Sequence, residues 1–115
     1  MKDIYRGDMK ICQAKEAKNF FSRSLGLMFR GPLSEGEGLL IEFSPHLKSR
    51  SIHSFFMRFT IDLIFIDSRM KVVEFTTLRP WRMYNPKTEC IWVLEVNKGT
   101  IEKNKIKIGD VLTFE

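Results

Sequence analysis

Short apolar and β-branched runs, separated by turn residues, recur along most of the chain. The residues between them are mainly Gly, Pro, Asn, Asp and Ser, which favour turns. Runs of this kind predict strands, and we place them at residues 39–43, 51–57, 61–67, 71–78, 90–96 and 111–114. The spacing favours a mainly β fold, a bent antiparallel sandwich or a partly closed barrel of jelly-roll type. Most gaps are too short for crossover helices, which disfavours a parallel α/β fold.

One segment near the start of the chain has helical spacing instead. Apolar residues recur there at steps of three or four: Ala14, Ala17, Phe21 and Leu25. Gly26 follows, and a glycine can end a helix in the left-handed conformation. The spacing therefore predicts one N-terminal helix packed on the β structure. Thr100 is expected to cap a short helical turn that extends to Lys105.

The composition is that of one folded domain. The chain has 115 residues, of which 43% are hydrophobic and 29% are charged, so it resembles neither a disordered chain nor a membrane protein. Its longest apolar runs, LLI and LIFI, are too short to cross a bilayer, and MKDIYRGD has no apolar signal-peptide core. We expect a single domain over residues 1–115, a cytoplasmic location and a monomer or weak homodimer.

The formal net charge is +5, which favours weak attraction to polyanions. The cations are scattered among acids, unlike the clustered face of a nucleic-acid reader, so no specific nucleic acid is expected as a partner. Cys12 and Cys90 lie far apart without a CxxC pair, and we expect two buried, reduced thiols. No metal or cofactor is expected, since His46 and His53 lack ligand spacing.

Five motifs occur in the order of one known family. They are GLMFR at 26–30, GLLIEF at 38–43, HSFFMRFTIDLIFID at 53–67, VLEVNKG at 93–99 and IGD at 108–110. The chain resembles the uncharacterised family called domain of unknown function one-ninety-two, or uncharacterised protein family one-twenty-seven, from about Ile11 to Phe114. The resemblance implies a bent, mainly antiparallel jelly-roll or barrel with one helix packed on it. It implies no activity.

The stretch HSFFMRFTID places charged residues among aromatic ones. In an extended strand His53 and Met57 share one face, and Arg58 points to the other. His53 is interpreted either as a hydrogen-bonded core residue or as a ligand contact. Asp62 follows the turn, where a carboxylate commonly accepts backbone N–H bonds and fixes a hairpin. A ligand-contacting role for Asp62 is the alternative.

Glu95 lies on a strand face with Ile91 and Val93, so it needs a partner if that face is buried. One hypothesis pairs it with Arg58 or His53. The other joins it to Asp62 as a catalytic acid pair.

The loop RPWRMYNPK is the segment most typical of a binding site. Trp81 and Tyr84 offer flat faces, and Arg79 and Arg82 offer charge, a combination that suits a sugar ring, a base or an anion. The alternative is that Trp81 only plugs one end of the barrel. No P-loop, GxGxxG, HExxH or Ser/His/Asp order is present.

These observations favour a small non-enzymatic binding domain for an anionic or sugar-like ligand. Its site would lie between HSFFMRF and the Arg79–Tyr84 loop, with candidate residues His53, Met57, Arg58, Asp62, Arg79, Trp81, Arg82, Tyr84 and Glu95. One alternative is an enzyme of unfamiliar type that uses His53 with Asp62 or Glu95. A second alternative is a weak nucleic-acid binder.

Overall fold

The computed structural model describes residues 1–17, 33–43 and 51–115. These residues form nine strands and one short helix: β1 Lys2–Arg6, β2 Met9–Ala17, β3 Glu37–Glu42, β4 Ile52–His53, β5 Ile61–Ile66, β6 Val72–Leu78, β7 Met83–Tyr84, β8 Trp92–Asn97, α1 Thr100–Lys103 and β9 Thr113–Phe114. Seven strands make one sheet in the order β6-β5-β8-β3-β2-β1-β9, and β4 pairs with β7. The large sheet curls into a half-barrel.

The large sheet is mainly antiparallel, as expected, but it contains one parallel pair that the sequence did not predict. Strands β2 and β3 run parallel, with Gln13 opposite Glu37 and Ala17 opposite Ile41, while the other pairs are antiparallel. A parallel pair needs a crossover connection, not a tight hairpin. Part of that connection, residues 18–32, lies outside the described residues.

Apolar residues cover both faces of the large sheet, and alternation along each strand assigns every side chain to one face. The first core contains Leu39, Ile41, Leu63, Phe65 and Val93, packed with residues such as Met57 and Leu78. The second core contains Leu40, Ile64, Leu94 and Val96, packed with residues such as Ile4 and Leu112. All six residues of β5 are buried because both of its faces are covered. This explains the nearly unbroken apolar run IDLIFI.

The predicted N-terminal helix is wrong at its start. Residues 14–17 belong to β2, where Ala14 pairs with Lys2 of β1 and with Gly38 of β3. Three residues apart on a strand, Ala17 and Ala14 project to opposite faces, Ala17 into the first core and Ala14 into the second, so both are buried without a helix. The remainder of the predicted helix, residues 18–25, lies outside the described residues.

The predicted strand 51–57 is shorter than expected. Only Ile52 and His53 form β4, because Phe56 takes a left-handed backbone conformation with φ 65°. Ser54 instead bonds to the loop that leads into β7. The predictions at 39–43, 61–67, 71–78, 90–96 and 111–114 are confirmed as strands, with ends that shift by a few residues.

The short helical turn begins at Thr100 as predicted, although Thr100 does not cap it. The N-cap is Gly99, with φ 96°, and the Thr100 hydroxyl donates to the Asn97 carbonyl at 2.7 Å. Within the described residues, no helix has the length and apolar character needed to cross a membrane.

Candidate functional site

The two segments that the sequence singled out lie side by side. β4 pairs with β7 in antiparallel register, with Ile52 opposite Tyr84 and His53 opposite Met83. This pairing brings residues 53–58 next to residues 79–84. We call the outer side of these two segments the aromatic–arginine surface.

Ser54 fastens the two segments together and is completely buried. Its backbone N–H donates to the Arg82 carbonyl at 2.8 Å, and its carbonyl accepts from the Trp81 N–H at 2.9 Å. Its hydroxyl donates to the Arg79 carbonyl at 2.5 Å and accepts from the Arg82 N–H at 2.9 Å. Sequence reasoning missed this residue. Two features of the sequence could have indicated its role. Ser54 is a small hydroxyl residue within an aromatic run, and the loop at residues 79–84 has backbone amides that need hydrogen-bond partners.

Two bulky aromatic residues stand outward on this surface. Trp81 is 55% exposed and Phe56 is 43% exposed, and their ring centroids lie 4.7 Å apart at 60°. Both have positive φ, 62° and 65°. For residues with a Cβ this conformation costs about 1–2 kcal/mol each and persists only where the surroundings enforce it. The interpretation of Trp81 as a plug of the barrel is therefore wrong.

Three arginines belong to the two segments that hold the rings. Arg58, Arg79 and Arg82 are exposed, and the segments HSFFMR and RPWRMY contain no acidic residue. With neutral histidine, these segments carry three positive charges. Arg82 Nη1 lies 3.4 Å from the Trp81 backbone carbonyl. The surface therefore combines flat apolar faces with donors that match carboxylate or phosphate oxygens.

Tyr84 supports the loop and does not face outward as a ligand contact. Its hydroxyl donates to Glu74, and its ring lies 5.7 Å from that of Phe65 in the first core. Glu74 also accepts the backbone N–H groups of Lys87 and Thr88 at 2.9 and 3.0 Å. One carboxylate thus anchors both the side chain of Tyr84 and the segment that follows it.

The same contacts perturb two pKa values. The hydrogen bond to Glu74, followed by burial, raises the pKa of Tyr84 to about 12. Burial works to raise the pKa of Glu74, but the hydrogen bonds from Tyr84, Thr88 and Lys87 outweigh it and lower that pKa. The pair is therefore a neutral phenol and an ionised carboxylate across the neutral pH range.

His53 and Met57 lie beneath the aromatic–arginine surface. The His53 ring is half-buried, stacks on Phe55 at 4.9 Å and 20°, and its Nδ1 accepts the Phe55 N–H at 3.3 Å. Met57 is buried in the first core, so a ligand on the surface does not reach it. Among the described residues there is no cluster of three or more side chains able to hold a metal ion.

Asp62 lies away from this surface and is buried. Its Oδ2 accepts the N–H groups of Gly99 at 3.1 Å and Ile101 at 3.0 Å, and its Oδ1 accepts the Thr77 hydroxyl at 2.8 Å. The prediction that Asp62 accepts backbone N–H bonds is correct. The donors, however, belong to the start of α1 and not to the turn before β5.

The hypothesis of an Asp62–Glu95 acid pair is wrong. Asp62 is opposite Val96 and Leu63 is opposite Glu95, so the two carboxylates project from opposite faces of the sheet. His53 is on the side of the first core, which also separates it from Asp62. Of the described residues, no ion pair joins Arg58 to the buried Glu95. The pairing of His53 with Glu95 stays a prediction.

A polar groove of about 750 Å³ lies elsewhere, between β2, the turn at residues 35–37 and residues 97–104. Lys103 and Glu35 form an ion pair of 3.2 Å at its rim. The Asn97 side chain pairs with the backbone of Leu33, accepting its N–H at 3.1 Å and donating to its carbonyl at 2.6 Å. Three of the polar side chains that line this groove are thus engaged within the protein.

The fold and the surface define a mainly β half-barrel with an outward-facing aromatic–arginine surface. The chain belongs to the family DUF192, described as Uncharacterized ACR, whose model matches residues 4–114. A UPF0127 protein of Pyrococcus furiosus is 39% identical over 99% of this chain and 97% of its own length. Another, from Pyrococcus horikoshii, is 39% identical over 96% of this chain and 90% of its own length. The resemblance inferred from the five motifs is confirmed.

Two solved structures share the fold. A protein of Sinorhizobium meliloti, described only provisionally as a transcription regulator, has a TM-score of 0.84 at 20% identity and covers 98% of this chain and 90% of its own. A protein of unknown function from Novosphingobium aromaticivorans has a TM-score of 0.78 at 22% identity, over 89% and 74% of the two chains. At these identities the likeness concerns the fold alone.

Proposed function

We propose that this protein is a non-enzymatic binding domain that takes a small anionic, ring-bearing ligand, with acidic sugars as the best-fitting class, on its aromatic–arginine surface. The observation that carries the proposal is the pair of exposed aromatic residues, Phe56 and Trp81, held at positive φ. A chain gains nothing in its own stability from this conformation. Strain of this kind concentrates at sites that present side chains to ligands.

The electrostatics indicate the charge of the ligand. Arg58, Arg79 and Arg82 belong to the two segments that hold the rings, and these segments contain no acidic residue. A guanidinium binds a carboxylate through two parallel N–H bonds, and an aromatic face packs against the apolar face of a sugar ring. The rings of Phe56 and Trp81 meet at 60°, so a ligand lies on one face and does not insert between parallel planes.

The surface is preformed but open, which limits the affinity. The hydrogen bonds of Ser54 fix the two segments before any ligand arrives, so little ordering accompanies binding. One stacking contact contributes about 1–3 kcal/mol and each exposed ion pair up to about 1 kcal/mol, which corresponds to a Kd near 1 mM. Binding should weaken with salt because exposed charges are screened.

A variant that releases strain separates a binding role from a structural one. Trp81→Gly removes the ring and suits the positive φ, so stability should stay equal or rise by about 1 kcal/mol. Affinity for a uronic-acid oligosaccharide, followed by NMR titration, should be lost. Trp92→Phe is the matched control, since Trp92 bonds to Glu42 and packs on Phe114 away from this surface.

Three other results would count against the proposal. A Trp81→Gly protein that unfolds more easily would make the indole structural. If the ligand causes the same NMR chemical-shift changes in Trp81→Gly as in the wild type, it binds outside the aromatic–arginine surface. Tighter binding of a single-stranded oligonucleotide than of the oligosaccharide would favour the nucleic-acid alternative, in which bases stack on the same rings. The cytoplasmic location and the monomeric or weakly dimeric state remain part of this proposal.

A further inference from the structure

A second exposed surface combines apolar and basic side chains, and we call it the basic tip. It is formed by two turns, residues 67–71 and residues 105–111. Ile108 is 60% exposed and Val111 is 50% exposed, although both are large apolar residues. Both belong to the second turn, so two large apolar side chains are exposed within four residues of each other.

Backbone contacts place the two turns side by side. Lys71 and Val111 face each other across an antiparallel bridge, and Met70 accepts the Leu112 N–H at 2.8 Å. Residues directly opposite in such a bridge project to the same side. Their neighbours Val72 and Leu112 are buried, so Lys71 and Val111 point together towards solvent.

Ile108 occupies the corner of the second turn. The Asp110 N–H donates to the Lys107 carbonyl at 3.1 Å, and Gly109 takes φ 93° between them. The Gly109 N–H donates to the Val72 carbonyl at 2.7 Å, which fixes the corner against β6. The apolar side chain is therefore held outward on a rigid turn.

The tip is also electropositive at its outer side. Four exposed cations belong to the two turns: Arg69, Lys71, Lys105 and Lys107. The two acids in these turns bond to backbone groups of their own turns. Asp67 accepts the N–H groups of residues 69 and 71 at 2.9 and 3.0 Å, and Asp110 accepts that of residue 107 at 2.8 Å. Asp110 is also paired with Arg6 at 3.2 Å.

We propose that the basic tip docks the protein on a membrane surface rich in anionic lipid. Ile108 and Val111 enter the boundary between headgroups and acyl chains, and the four cations lie over the phosphates. A peptide partner would need a groove, whereas these residues lie on turn corners and the polar groove lies at residues 97–104. This inference is independent of the proposed ligand-binding function.

The test is co-sedimentation of the full chain with vesicles of phosphatidylcholine alone or mixed with phosphatidylserine. Binding should require phosphatidylserine and weaken with salt. Lys71→Gln with Lys107→Gln should lower the partition coefficient about fivefold per lysine. Ile108→Ser with Val111→Ser should lower it at least about tenfold, since the apolar contact is lost. All four positions are exposed, so melting curves should match the wild type.

Two control proteins make the result specific. Lys15→Gln with Lys98→Gln removes the same charge at exposed positions outside the tip and should retain binding. Trp81→Gly tests whether the aromatic–arginine surface inserts instead. If the lysine control loses as much vesicle binding as the tip variant, the effect is one of net charge in general. If Trp81→Gly loses vesicle binding, the aromatic–arginine surface and not the basic tip inserts into the membrane. Either result would overturn the proposal, as would binding to polyglutamate but not to vesicles.

Discussion

Replacing Asp62 with alanine should lower the free energy of unfolding by about 3 kcal/mol. The carboxylate is 2% exposed and accepts three hydrogen bonds, at 2.8, 3.0 and 3.1 Å. Each such bond contributes about 1 kcal/mol net, and a donor left unsatisfied after truncation costs at least as much. Gly99 borders the open groove, so water can replace part of the loss at that amide.

Two further variants test how much the individual hydrogen bonds to Asp62 contribute to stability. Thr77→Val deletes one of the three donors and keeps the shape of the side chain, so it should cost about 1 kcal/mol. Asp62→Asn keeps the size of the side chain but replaces one acceptor with a donor, and its stability should fall between those of the wild type and Asp62→Ala. In the double variant of Asp62→Ala and Thr77→Val, the two losses should not add, because they remove the same bond.

Urea melts measure the free energies, and amide exchange locates the change. The amides of Gly99 and Ile101 should exchange much faster in Asp62→Ala, whereas those at the centre of β8 should speed up only as far as the loss of global stability requires. If Asp62→Ala melts like the wild type, the carboxylate does not hold α1. Its position between Ile61 and Leu63 would then have to be explained by a ligand.

Three further outcomes are expected. Wild-type stability should fall as the pH rises from 10 to 12, because the pKa of Tyr84 is about 12 when folded and near 10 when unfolded. In thermal melts Tyr84→Phe should show a smaller loss, to which the buried Cys12 thiol still contributes. Burial raises the pKa of Cys12 to about 12, so neither Cys12 nor the buried Cys90 should react with a disulfide reagent before unfolding, and dithiothreitol should leave the melting temperature unchanged. Gly38→Ala should cost about 1–3 kcal/mol in a urea melt, because an added Cβ would lie 3.0 Å from Cys12 Sγ.

Strands with strong local signals could be predicted from sequence. β5, β6 and β8 are rich in β-branched and aromatic residues and are bounded by turn residues, so their type follows from the pattern. β1 and β2 were missed because KDIYR and MKICQAKEA mix charges with small residues. Their strand character comes from pairing with each other and with β3, which no local window contains.

The candidate site was predicted in part. Residues 53–58 and 79–84 were expected to converge, and β4–β7 pairing brings them together. The aromatic and basic residue types made that expectation possible. The donors to Asp62 and its separation from Glu95 could not be predicted because they depend on register, and a shift of one residue moves a side chain to the other face. The positive φ of Trp81 could not be predicted from sequence, because tryptophan rarely adopts this backbone conformation.

The position of β3 in the large sheet has a kinetic consequence. Its two neighbours are β2, which precedes it, and β8, which begins at Trp92, about fifty residues after β3 ends. During synthesis the apolar segment LLI of β3 therefore remains an open edge until β8 has left the ribosome, and open edges invite pairing between chains. Contacts this distant in sequence also slow folding, to the millisecond-to-second range typical of such topologies.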